Sequence, residues 1–150
     1  MAEPSHLEAI RVRREALHQA LIGLEDALAT PIGDPTRWRL RVAMAVEHAA
    51  HRIDDHIRQT ESPTGLLHTV VEVEPRLACR TNRLRDDHGE LRQRACRLQS
   101  AIAALDDTEV EERGLAIRDD ALEFMGELVR HRQRGADLIY EAYQVDIGAG

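Results

Sequence analysis

The sequence predicts an all-α chain folded as an up-down-up-down antiparallel four-helix bundle. No stretch shows the sustained alternation of β-branched residues that marks a strand. Breakers, Pro- and Gly-rich at the first two connections and Asp106-Asp107-Thr108 at the last, divide the chain into four long segments rich in Leu, Ala, Arg and Glu. The last two of those segments carry apolar residues seven apart, the pattern of a bundle seam. The whole of residues 1–150 reads as one domain, a length that suits a single compact core.

The first helix is expected from about His6 to Ala29, where Thr30-Pro31-Ile32-Gly33-Asp34-Pro35 stops it. The second runs from about Thr36 to Thr60 and ends at Ser62-Pro63-Thr64-Gly65. Leu66 to Glu72 reads as a helical turn or two. Pro75 suits the first turn of a third helix, because its missing N–H costs nothing there. That helix runs to Leu105 and is broken by Asp106-Asp107-Thr108. Thr108, with Glu111 three residues on, has the spacing of a capping box for a fourth helix ending near Tyr143. The tail Val145–Gly150 is a small-residue end.

In the third helix Leu77, Leu84, Leu91, Leu98 and Leu105 form one seam row, and Thr81, His88, Ala95 and Ile102 the other. In the fourth, Ile117, Phe124, His131 and Leu138 stand on one row and Ala121, Leu128, Gly135 and Ala142 on the other. Such seams serve an antiparallel bundle with short connections or, as the alternative, an extended dimeric coiled coil. Val42, Val46, Ala49, Ile53 and Ile57 define the buried face of the second helix, and His56 lies beside it. His48, His51 and Asp55 resemble a metal motif in spacing but fall on the opposite, solvated side. In the first helix His18 flanks the stripe Ile10, Leu17, Leu21, Leu24 and Leu28. Each helix therefore offers one inward or border histidine: His18, His56, His88 and His131. Imidazole is a common metal ligand and is costly to bury without a partner. The plainer reading of the same pattern is a polar layer in which these histidines, Thr60 and Arg92 satisfy one another and water.

Composition narrows the functional classes. The net charge of −7 and an aromatic content of 3% oppose nucleic-acid binding, which needs a positive field and, for single strands, stacking rings. All 20 basic residues are Arg. No apolar run approaches the length of a membrane span, and the charged start lacks the apolar run of a signal peptide. Cys79 and Cys96, 17 residues apart on one helix, are too distant to bridge and read as reduced thiols, consistent with a cytoplasmic protein. No nucleophile elbow or phosphate loop is present, and neither Cys has an activating His at helical spacing.

The one-histidine-per-helix order, with the strings HIRQTE at 56–61, RLRDDHGEL at 83–91 and LVRHRQRGADLIYEAYQVDIG at 128–148, resembles the hemerythrin-like (HHE cation-binding) family. The resemblance covers about His18 to Gly148. It implies an up-down four-helix bundle, commonly with a non-heme diiron centre on five His and two carboxylates, used in oxygen binding, iron handling or sensing. His18, His56, His88 and His131 resemble the family's ligands from the four helices. The chain departs from the pattern where the family places its carboxylates. Thr60 stands one turn after His56, with Glu61 beside it but turned about 100° away. Gly135 and Ala136 stand one turn after His131, where Asp137 faces solvent, and Arg92 follows His88 where a second His is common.

The metal-ligating candidates are thus His18, His56, His88, His131 and Glu61, with Glu61 reaching inward only if the end of the second helix unwinds. Without bridging carboxylates, four neutral imidazoles suit one divalent ion better than two. The expected cofactor is non-heme iron, as a mononuclear or dinuclear centre, or none. The expected partners are a metal ion or small ligand in the bundle core, in a monomer or homodimer. The alternative is a bundle that has lost its metal and serves as a small-ligand or protein interaction module. A heme pocket is a weaker third reading, given so few aromatic residues.

Overall fold

A computed structural model describes residues 4–144, with side chains from Glu8 onward; the tail Val145–Gly150 lies outside the described residues. The chain forms α1 (Pro4–Leu28), α2 (Pro35–Glu61), α3 (Leu66–Val73), α4 (Ala78–Ala103) and α5 (Val110–Tyr143), with a 3-10 turn at Pro75–Leu77 and no strand among the described residues. Four of the helices are long. α2 packs against α1 and α4, and α5 packs against α4 and α1, which is compatible with a four-helix bundle. No helix of the described residues is long and apolar enough to cross a membrane.

Local chemistry sets the element boundaries. Asp34 caps α2 by accepting from the Arg37 N–H at 3.1 Å, and Pro35 opens the helix. At the far end the chain turns so tightly that a Cβ on Gly65 would collide with the carbonyls of Gln59 and Thr60. Pro75 does not start α4 as expected. Leu77 adopts φ −89° and ψ 5°, its N–H bonds back to Glu74 O at 2.9 Å, and the α-helix begins only at Ala78.

The entry to α5 also differs from the capping box expected at Thr108. Asp106 Oδ1 accepts from the Thr108 and Glu109 N–H groups at 2.9 and 3.1 Å, and Glu109 Oε1 accepts from Asp106 N–H at 3.3 Å. The reciprocal pair is therefore Asp106 and Glu109. The Thr108 hydroxyl itself donates to Asp106, because a carboxylate is the stronger acceptor.

The predicted faces are buried, except that Gly135 and Ala142 of the second α5 row are only partly so. In α1 these are Ile10, Leu17, Leu21, Leu24 and Leu28; in α2, the five residues from Val42 to Ile57, extended one turn back to Trp38. Both seam rows of α4 are buried, as are Ile117, Ala121, Phe124, Leu128, His131 and Leu138 of α5. The apolar core nevertheless divides in two. The larger cluster includes Leu17, Ile53, Ile57, Leu91 and Leu128; the smaller includes Ile10, Leu66, Leu84 and Leu138. In sequence, Arg14, Thr60, His88 and His131 each fall between a member of one cluster and a member of the other. A polar layer interrupts the core at that level.

Candidate metal centre

Each histidine of the layer follows from its helical register. His88 sits four residues after Leu84 and three before Leu91, so packing of those leucines turns it inward; it is 2% exposed. His131, seven after Phe124 and seven before Leu138, is 3% exposed by the same logic. His56, beside Ile53 and Ile57, is partly buried. The three rings meet edge-on, with centroids 4.8 to 5.2 Å apart. One nitrogen from each lies within 4.8 Å of the others.

Two carboxylates hold these rings. His88 Nδ1 lies 2.8 Å from Glu61 Oε1, and His131 Nδ1 lies 3.1 Å from Asp87 Oδ2. A neutral imidazole facing a carboxylate carries its proton on that nitrogen, so both rings keep an unprotonated Nε2. The His131 Nε2 lone pair then accepts from His56 Nε2 at 3.1 Å. Arg134 anchors Asp87 in turn, with Nε at 2.9 Å and Nη2 at 2.8 Å from the same oxygen.

Burial keeps the trio neutral. It pushes His131 down to about 4, helped by the nearby His88 and opposed by Asp87. Burial likewise pushes His88 down, opposed by Glu61. It holds His56 well below 6.5, with His131, His88, Arg14 and Arg13 adding to the effect. Neutral imidazole is the form that ligates metal.

The donor set fits one ion better than two. Nitrogens bound at about 2.1 Å in a tetrahedral shell lie about 3.4 Å apart. The His56–His131 pair is slightly closer than that, and one nitrogen of each of the three rings lies within 4.8 Å of the others. Bridging carboxylates are missing where they would be needed. The Thr60 hydroxyl donates into its own helix, to His56 O at 2.7 Å. Gly135 offers no side chain, and exposed Asp137 accepts from Gln133.

The sequence-derived candidates are only partly brought together. His56, His88 and His131 converge; His18 is not in the group. It stands half-buried at the edge of the α1 stripe, with an enclosed Nδ1 that has no partner. Glu61 does reach the site, but without the unwinding that sequence geometry demanded. It is the last residue of an intact α2 and contacts the back of His88 rather than the converging nitrogens. Arg92 leaves the layer for Asp54 at 2.8 Å, and His48 and His51 are exposed. Asp87 was not anticipated. The available signal was its place immediately before a seam histidine, one step around the helix toward α5.

No family model, curated protein or solved structure matches the chain.

Proposed function

We propose that this chain is a hemerythrin-like, antiparallel up-down bundle that holds a single divalent ion, iron(II) or zinc(II) in class, on His56, His88 and His131. The observation that carries the reading is the pair of carboxylate clamps, Glu61 on His88 and Asp87 on His131, which favour an unprotonated Nε2 on both rings. Carboxylate–histidine pairs of this kind orient metal ligands and raise their basicity. Arg134 on Asp87 extends the clamp by one further shell. Three imidazoles leave coordination positions open, so a bound ion would supply Lewis acidity or an exchangeable site for a small ligand. Metal storage, small-ligand sensing and oxygen or redox handling are the functions such a site serves.

The second reading is a metal-free bundle kept for interaction. The direct His56–His131 bond favours it, since that bond already satisfies two of the nitrogens a metal would use.

Metal analysis of protein purified from iron- and zinc-supplemented medium separates the two. The metal-site reading expects metal in the parent and in His51→Ala, whose ring is exposed, and its loss in His88→Ala and His131→Ala. Retention of metal in both core variants, or a metal-free parent whose melting ignores added metal, overturns it.

A further inference from the structure

The face of the polar layer toward α1 carries charge of the opposite sign to the Glu61 and Asp87 side. Arg14 lies in α1 between Ile10 of the smaller apolar cluster and Leu17 of the larger. Its Nη1 donates to Arg132 O on α5 at 3.0 Å, and both side chains are half-buried. Arg132 Nε is enclosed and has no hydrogen-bond partner. The neighbouring arginines of α5 are matched, Arg130 by Glu127 and Arg134 by Asp87. Among the described residues neither Arg14 nor Arg132 forms an ion pair. Glu15 is the carboxylate whose field acts on Arg132 among the described residues, and its side chain accepts from Gln19 instead.

Two half-buried guanidiniums with no ion-paired acid among the described residues are costly, since each has lost water and gained little counter-charge. Burial lowers the proton affinity of both, and Arg132 adds to the effect on Arg14. The adjacent Arg13 lines a surface groove of about 540 Å³ with Asp55, Arg58, Gln59, Ser62 and Thr64. Asp55, the acid of that groove, is already engaged by Arg52 and Arg58. A planar guanidinium fork with unused donors matches the oxygens of a carboxylate or phosphate.

We propose that Arg14 and Arg132 form a seat for a small oxyanion, carboxylate or phosphate in class, on the α1 side of the three-histidine layer. The seat is independent of any metal.

The test uses chelator-treated protein at constant ionic strength, titrated with inorganic phosphate and, separately, with acetate while melting is followed. The proposal expects at least one of the two to raise the melting temperature saturably; the arm that does so identifies the class. Arg14→Gln and Arg132→Gln weaken the effect at least tenfold, whereas Arg130→Gln behaves as the parent. Should Arg14→Gln fail to fold, Arg14→Lys, which keeps the charge and loses the fork, gives a weakened response. No response in the parent, or an equal loss in Arg130→Gln, overturns the proposal. Zinc titration of the same variants is read separately: zinc binding without an anion response refutes the seat and leaves the metal site standing, and the reverse result does the opposite.

Discussion

Asp87 Oδ2 receives both His131 Nδ1, at 3.1 Å, and the Arg134 guanidinium, at 2.8 Å from Nη2. Glu61 faces His88 Nδ1 at 2.8 Å in the same way. The two contacts form a relay across the core: a carboxylate of α2 holds the histidine of α4, and a carboxylate of α4 holds the histidine of α5.

Asp87→Asn therefore weakens metal binding by about 10- to 100-fold, the usual effect of removing an outer-shell partner of a ligating imidazole. Competition against a chromophoric chelator reads the change. Unaltered affinity with an unaltered melting temperature removes Asp87 from the site.

The metal-free protein loses stability as pH falls from about 6.5 toward 4. His131, with its folded value at about 4, stays neutral where the unfolded chain takes up a proton, so protonation favours unfolding throughout that interval. His56 and His88 shift in the same direction. His131 alone accounts for a loss on the order of 3 kcal/mol by pH 4. Urea unfolding at stepped pH measures it, and His131→Phe should flatten the profile. A profile equally steep in that variant contradicts the assignment.

A metal ion on the proposed three-histidine site would stabilise the fold by mass action. At a free concentration 100 times the dissociation constant the gain is about 2.7 kcal/mol, or roughly 5–10 °C in melting temperature for a chain of this size. Paired melts with and without chelator show it. Equal melting at saturating zinc and iron(II) refutes specific binding to the folded state.

Asp106→Ala lowers the melting temperature more than Thr108→Ala, because the carboxylate of Asp106 accepts from two backbone N–H groups while Thr108 only donates to it. The reverse order restores Thr108 as the cap of α5.

The all-helical architecture and its buried faces were legible because seven-residue spacing on α4 and α5 leaves few ways to bury Leu84, Leu91, Leu98, Phe124 and Leu138 together. The same register placed His88 and His131 inside. What sequence could not show was reach. Helical angle turned Glu61 away from the core, yet a long side chain on the last residue of α2 bends back to His88. Nor did helical angle single out Asp87, which is only 13% exposed between Arg134 and His131. His18 shows the opposite error: a border position on α1 does not bring it into the group of three. Arg92 reads as part of the polar layer because it stands one turn after His88, but a flexible stem carries its charge out to Asp54.

The central claim, one ion on three histidines, is tested most directly by titrating chelator-stripped protein with cobalt(II) and following its visible ligand-field bands. The account predicts bands that saturate at about one equivalent per chain and vanish in His131→Ala, with intensity reporting a four- or five-coordinate nitrogen-rich shell. Saturation at two equivalents, or bands that survive in His131→Ala, contradicts it.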